Sequence, residues 1–291
     1  MKRGIDVGNY SVKEWISKDV YTNIKSLVTT EENLLGSNMS IEYDDKKFYI
    51  GEGNFETELN KASKTNFLPL LLTSIALNSG NEVQQVVCGL PINQYKNNKD
   101  NLKEMVLENR MRKVILNGEP KQIIISDFEV YPEGIGVYYS LNTVDDIVIV
   151  CIGGRTTEIV YVVNGKVKIS STVAVGTLNI YKDIADKLNS LYTLDLGLLD
   201  AEKIIEKGYL QVDGDNVDLS FVIEILKKNF DKINEDLMMK FPVRSEKLAI
   251  AGGGYKLFSK AFTNRYKNSF VVPNPVFANA IGFREVANRI W

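Results

Sequence analysis

Short apolar stretches of strand length alternate with tight turns along this chain, and the pattern starts twice. The first start is Gly4–Val7, which runs through Gly8-Asn9-Tyr10 and leaves as Val12–Ile16. The second is Asp146–Ile152, which runs through Gly153-Gly154-Arg155-Thr156 and leaves as Thr157–Val163, followed by Lys166–Thr172. Asn164-Gly165 between these last two is a strong signal for a two-residue hairpin turn. In the first half, Ile41–Tyr43 and Lys47–Ile50 read as a further hairpin, Gln85–Val87 as a short strand, and Lys113–Leu116 and Gln122–Ser126 as strands. Helical patterns cover Phe67–Asn78, stopped by Ser79-Gly80, then the polar stretch Asn93–Arg112, and Tyr131–Leu141 with Pro132 in its first turn. In the second half, helices are expected at Gly176–Leu191, Leu199–Glu206 and Leu219–Lys240. A strand at Lys247–Ala251 leads through Gly252-Gly253-Gly254 into a helix at Tyr255–Asn264. A strand at Ser269–Val272 and a helix at Pro275–Arg289 close the chain, with Ala278, Ala280 and Gly282 small enough for close packing. Strands alternating with helices, and a meander opening each half, predict an α/β protein with an internal duplication.

Composition narrows the chemistry. The 291 residues suffice for two domains of ordinary size. A net charge of -2 offers no electrostatic reason for direct nucleic-acid binding. Histidine is absent, which removes histidine metal sites and histidine acid–base chemistry. Cys88 and Cys151 have no metal-ligand spacing and fit a reducing, cytoplasmic setting. No apolar run approaches the length of about 18 residues that a membrane span needs, and Met1-Lys2-Arg3 leads into Gly4 without the apolar core of a signal peptide.

Several positions carry candidate chemistry. A glycine turn lets backbone N–H groups approach an anion without interference from Cβ, so Gly8–Ser11 and Gly153–Thr156 are candidate phosphate loops. Either is equally readable as an ordinary hairpin turn, with Arg155 in solvent. Asp6, before the first turn, can hold the water shell of Mg²⁺, and Lys13 can neutralise phosphate charge. Asp6 and Asn9 also fit as turn residues bonded to their own backbone. Gly252-Gly253-Gly254 joins a strand to a helix N-terminus, an arrangement that brings backbone close to a nucleotide; three glycines at a packed junction cost conformational entropy. Glu133 can orient a water for attack on a terminal phosphate or simply complement a helix dipole.

Taken in order, these segments resemble the five-motif nucleotide site of actin, the ATP-dependent heat-shock chaperones and the sugar kinases. Gly4–Lys13 and Cys151–Glu158 look like its two phosphate motifs. Tyr131–Gly136 and Phe277–Phe283 look like its connecting motifs, and Leu248–Tyr255 like its adenosine motif. Cys88-Gly89-Leu90-Pro91, Gly153–Glu158 and the Asn274–Ala280 ending are typical of ParM-type bacterial actins, the filament-forming plasmid-segregation proteins. The resemblance implies a two-domain actin-like fold with a duplicated ribonuclease H-like core, each domain a mixed sheet flanked by helices. Domain I would hold residues 1–143 with 274–291, domain II residues 144–273, and the nucleotide would lie between them. It further implies ATP or GTP with Mg²⁺ as ligands and a nucleoside triphosphatase coupled to filament assembly. The partners would be other copies of the chain and a DNA-binding adaptor at a plasmid centromere.

Carried over by position, the resemblance assigns Asp6 to the Mg²⁺ water shell and Glu133 to the attacking water. Gly8, Asn9, Tyr10, Ser11 and Lys13 fall to one phosphate loop, and Gly153, Gly154, Arg155 and Thr156 to the other. Glu202 and Lys203 would contact ribose and base, and Gly252, Gly253, Gly254 and Tyr255 the adenosine. One position departs: the superfamily usually carries Asp where this chain has Cys151, and a neutral thiol is a poor ligand for a hard cation. Slow hydrolysis is the expected consequence. Two rival readings remain on the same fold, a sugar-type kinase and a structural filament protein with vestigial hydrolysis.

Overall fold

The computed structural model describes residues 1–33, 39–79 and 82–291, so Gly80 of the expected helix stop lies outside the described residues. Strands β1 (Lys2–Val7), β2 (Ser11–Trp15) and β3 (Tyr21–Lys25) form an antiparallel meander. β4 (Leu27–Thr29), β5 (Ser40–Tyr43), β6 (Lys46–Ile50) and β7 (Asn54–Phe55) precede a single 3-10 turn at Lys61–Ser63 and helix α1 (Phe67–Leu77). Then come β8 (Val83–Leu90), α2 (Ile92–Glu108), β9 (Met111–Leu116), β10 (Glu119–Pro132) and α3 (Ile135–Leu141). The second half holds β11 (Ile147–Ile152), β12 (Thr157–Val163), β13 (Lys166–Val173), α4 (Thr177–Tyr192) and α5 (Leu198–Lys207). A small hairpin of β14 (Gln211–Val212) and β15 (Asp215–Asn216) leads to α6 (Phe221–Lys240), β16 (Lys247–Ala251), α7 (Tyr255–Arg265), β17 (Ser269–Val271) and α8 (Ala278–Ile290).

The duplication is visible in the sheets. One sheet begins β3-β2-β1-β8-β10, and the other runs β13-β12-β11-β16-β17. In both, an antiparallel meander is extended by two strands parallel to its first member. The first sheet then continues through β9, β5, β6, β4 and β7. Strand β10 makes that extension possible. Its Glu119–Ile124 part pairs antiparallel with β9, its later part pairs parallel with β8, and an irregularity lies between Ile125 and Asp127. A bulge bends a strand and increases its twist, which lets one strand serve two neighbours in two directions.

Strand β11 reads as an unbroken apolar run because it is buried on both faces. Val148, Val150 and Ile152 join the core under α4 and α6, while Ile147, Ile149 and Cys151 join a second core with α3. In the first half, α1 packs its apolar face on Ile5, Val86 and Val130 of the sheet. A polar network is buried there as well. Arg3 donates to Glu14 at 2.8 Å, to Gln84 at 2.7 Å and to the Asn78 carbonyl at 2.9 Å. Ser74 and Asn78 donate to the other Glu14 oxygen, so the buried pair is fully hydrogen-bonded.

Helix α8 returns to the first half and packs on β1, β8 and α3. Close approach there depends on two glycines. A Cβ on Gly4 would overlap the backbone of Ala280 and Arg284, and one on Gly282 would overlap the backbone of Gly136.

Three sequence expectations change. Tyr131 and Pro132 belong to β10, not to a helix, because they pair with Gly89 and Leu90 of β8. Glu133 therefore lies in a strand-to-helix turn, closed by Gly134 at a φ of 82°. The long polar helix ends at Glu108, and Arg112 is in β9, held by pairing with β10. Pro275–Phe277 precede the last helix rather than opening it. Strands β3, β4 and β7 lack an alternating apolar signal; pairing holds them in the sheet, helped by Ile24 and Val28, which pack against the core.

The Gly282 contact gives a stability prediction. Gly282→Ala must push α8 away from α3, with a cost of about 1–3 kcal/mol for overpacking. Thermal melting should show a lowered midpoint; an unchanged midpoint would mean the two helices separate freely.

Candidate functional site

The parallel strands of both sheets aim their C-terminal ends at one place. β1 carries Asp6 and β8 Gly89 one residue before their ends, β10 leads to Glu133, β11 carries Cys151 near its end, and β16 runs into Gly252. In open α/β sheets this edge is where ligands bind. A cavity of about 40 Å³ lies there, lined by Asp6, Glu133, Cys151 and Glu158 and by the Gly8–Tyr10, Gly153-Gly154 and Gly252-Gly253 turns. It adjoins a wider one of about 520 Å³ between Lys25, Tyr181, Glu202, Glu206 and Tyr255. Tyr10, Lys13, Gly253 and Val276 border both.

The turns are built to present backbone. Gly8 N–H donates to the Ser11 carbonyl at 3.1 Å, and Ser26 Oγ donates to the Gly8 carbonyl at 2.6 Å. Gly153 N–H donates to the Thr156 carbonyl at 2.8 Å, and α4 fastens the same turn through Thr177 and Leu178 N–H. Among the described residues the amides of Asn9, Tyr10, Gly154 and Gly253 have no acceptor, and all four residues line the narrow cavity. Such a set of orphan donors suits an anion. Gly253 stands just before α7, and a Cβ built on it would meet nothing within 4 Å. The two turns also touch: a Cβ on Gly154 would lie 2.7 Å from Tyr10 Cβ.

Charge in the cavity is balanced by a lysine that sequence reasoning missed. Lys61 is 2% exposed and donates to Glu133 Oε1 at 2.6 Å and to the Gly89 carbonyl at 2.8 Å. Its Nζ lies 3.9 Å from Asp6, while Lys13 Nζ lies 3.7 Å from the other Asp6 oxygen. Burial works against the Lys61 ammonium, but the carboxylates of Glu133 and Asp6 outweigh it and hold the group above its ordinary value. Burial, with the charges of Lys61 and Arg155, brings nearby Lys64 down to about 8. Lys64 donates to Asn9 Oδ1. Lys61 sits in a short polar turn, Asn60–Lys64, with no pattern to mark it; its burial follows from α2 packing beside it.

Glu158 is the third carboxylate of the cavity and is itself buried. Its oxygens accept from Thr156 Oγ1 at 3.0 Å, Thr172 Oγ1 at 2.7 Å and Ile92 N–H at 3.3 Å. Burial, then the charge of Glu133, pushes it up to about 7. Cys151 Sγ accepts from Asn279 Nδ2 at 3.6 Å, and Asn279 Oδ1 accepts from Gly134 N–H at 3.1 Å. Burial pushes the Cys151 thiol up, so it is neutral.

Most of the expected residues converge. Asp6, Gly8, Asn9, Tyr10, Lys13, Glu133, Gly153, Gly154, Thr156, Gly252 and Gly253 line the narrow cavity; Ser11, Glu202 and Tyr255 line the wide one. Three lie elsewhere. Arg155 donates to the Glu56 carbonyl at 2.7 Å. Lys203 turns to solvent, 4.0 Å from Asp200. Gly254 faces Ile152 and Thr177, where a Cβ would not fit. Among the described residues no group of three or more His, Cys, Asp and Glu can hold a metal ion by itself. A hydrated Mg²⁺ bound mainly to phosphates needs only one or two carboxylates, and Asp6 fits that requirement.

The comparisons agree with this architecture. Residues 4–136 match the family described as actin like proteins N terminal domain. The chain has the fold of an actin-like protein. It is similar to a ParM from Clostridium botulinum solved as a 15-stranded filament, with 20% identity and a TM-score of 0.80 over 100% of both chains. It is similar to an archaeal actin homolog solved with ADP, with 20% identity and a TM-score of 0.81 over 98% of each chain. A non-polymerisable quadruple mutant of pCBH ParM matches with 21% identity and a TM-score of 0.79, again over 98% of each chain. No curated protein matches the sequence. No helix among the described residues is long and apolar enough to cross a membrane.

The Glu158 environment predicts a pH effect. Its folded value, about 7, lies above its ordinary value of 4.5. Between these two, the folded state holds a proton that the unfolded state has lost, so stability falls as pH rises through this window. Glu158→Gln keeps the acceptor toward Thr172 and Ile92 and cannot ionise. It should flatten the dependence of melting temperature on pH between about 4.5 and 7. An unaltered slope would assign that dependence to other groups.

Proposed function

We propose that this chain binds ATP or GTP with Mg²⁺ between domain I (residues 1–143 with 274–291) and domain II (residues 144–273), and polymerises into filaments. Hydrolysis would promote their disassembly. The setting is cytoplasmic, and the role is plasmid segregation, with a DNA-binding adaptor joining filament to centromere. The observation that carries the reading is the meeting of four orphan amides, from three glycine turns, beside Asp6 and Glu133, with a nucleoside-sized cavity next door.

The amides of Asn9, Tyr10, Gly154 and Gly253 would cradle phosphate oxygens, and Lys13 would add a positive charge. The wide cavity would take the nucleoside between Tyr181, Glu202 and Tyr255. Mg²⁺, when bound, neutralises charge on the phosphate oxygens; Asp6 would hold it through water. Lys61 occupies one Glu133 oxygen and leaves the other to accept from an attacking water. Cys151 supplies no charge, so orientation of that water falls to Glu133 alone, which supports slow turnover and keeps a filament with vestigial hydrolysis as the second reading. The cleft is closed, with Tyr10 against Gly154, so nucleotide entry requires the turns to part.

Light scattering of the full chain should rise on adding Mg²⁺ and ATP or GTP, and electron micrographs should show filaments. A chain that stays monomeric with both nucleotides refutes the filament reading. Glu133→Ala should slow phosphate release by 10²–10⁴-fold, on the order of a lost general-base contribution, with nucleotide affinity little changed. An unchanged release rate per filament would leave Glu133 without a part in hydrolysis.

A further inference from the structure

The two ends of α6 carry opposite charge. Beyond its C-terminus, a groove of about 680 Å³ lies between the loop into β16 and the end of α7. Arg244, Arg265 and Lys267 line it beside Tyr266, Phe241 and Met238, and no acidic residue does. None of the three cations belongs to an ion pair among the described residues. Met238 is 53% exposed at the groove. Before the N-terminus of α6, the β14–β15 hairpin presents Asp213 and Asp215, with Asp218 just after it. All three are exposed, no lysine or arginine interrupts residues 209–218, and Tyr209 beside them is 55% exposed. Asp213 and Asp215 likewise have no ion-pair partner among the described residues.

We propose that the acidic β14–β15 hairpin of one copy docks into the basic groove of the next, as the head-to-tail contact of a polymer. The inference rests on the self-assembly reading above and adds the surfaces that make the contact. An α-helix rises about 1.5 Å per residue, so the 20 residues of α6 hold hairpin and groove about 30 Å apart at opposite ends of one rigid rod. Two different, complementary patches at opposite ends of a subunit make a heterologous contact, which propagates as an open chain when the rotation does not close. Opposite charge steers the encounter and fixes the register, and Tyr209 and Met238 supply apolar area at its centre. The hairpin also follows α5, whose Glu202, Ile205 and Glu206 line the wide cavity. A ligand that moves α5 therefore moves the docking element.

The test is a pair of charge-reversed full-length chains. One carries Asp213→Lys with Asp215→Lys; the other carries Arg265→Glu with Lys267→Glu. Each alone sets like charges against each other at every junction. Each should need on the order of tenfold more protein than wild type to sediment with Mg²⁺ and nucleotide. An equimolar mixture restores opposite charges at every alternating junction and should sediment near the wild-type threshold. Binding of a fluorescent nucleotide by each variant, at wild-type affinity, checks that both are folded. Raising the salt concentration should raise the wild-type threshold, because exposed charges are screened. A variant that assembles alone at the wild-type threshold, a folded pair whose mixture stays silent, or a salt-independent wild-type threshold overturns the contact while leaving self-assembly in place. Wild-type protein that fails to assemble with either nucleotide overturns the self-assembly reading and this contact with it.

Discussion

Three carboxylates around one small space set the terms for this molecule. Asp6, Glu133 and Glu158 come from three different strands or turns and meet beside the neutral thiol of Cys151. Unpaired buried carboxylates are costly, and the chain answers each one differently. Asp6 has Lys13 and Lys61 within ion-pair distance, Glu133 has Lys61 in direct hydrogen bond, and Glu158 has only neutral donors. Glu158, the carboxylate without a cation, is pushed toward neutrality. A closed, charge-balanced pocket would be expected of a purely structural site too. What separates this one is the surplus of donors: the orphan amides around the carboxylates have no acceptor among the described residues.

Glycine is what allows the strand-end turns to come this close. Gly154 meets the Tyr10 backbone, Gly176 meets Gly154, and Gly252, at a φ of 91°, meets the backbone of Ile152. At each of these contacts a side chain would wedge the strand ends apart. The same device fixes α8 against β1 and α3, through Gly4 and Gly282. Because α8 also supplies Asn279, which bonds both the Glu133–Gly134 turn and Cys151, the last helix ties the floor of the cleft to the sheet that carries Asp6.

The duplicated strand pattern was legible because β1, β11, β12 and β16 bury apolar runs whose lengths and turns allow one reading. The glycine turns were legible as motifs in order, and most of their residues do line the cleft. Three features were not legible, each for a physical reason. Strand β10 hides its C-terminal part behind Tyr131-Pro132, a sequence that reads as a helix start until pairing with Gly89 and Leu90 overrides local preference. Lys61 sits in a polar turn, and only tertiary packing buries it. Arg155 looks suited to phosphate by type and place, yet the Glu56 carbonyl takes its guanidinium.

The contacts between the two halves are of two kinds, polar and apolar. Each half has its own apolar core, with residues such as Leu71 and Val86 on one side and Val150 and Ile184 on the other fully buried. Between the halves there are polar ties, Arg155 to the Glu56 carbonyl, Lys25 to Glu202 at 2.7 Å and Ile92 N–H to Glu158, and an apolar one, in which Ile135, Val137 and Tyr138 of α3 share a buried cluster with Ile149, Val160 and Val162. The polar ties contribute about 0.5–1.5 kcal/mol net each. A ligand that bridges the glycine turns can shift the balance between open and closed by the difference in its own contacts. Glu158 places a titratable group in that balance: when it loses its proton, the Ile92 tie strengthens while repulsion from Glu133 across the same cleft grows.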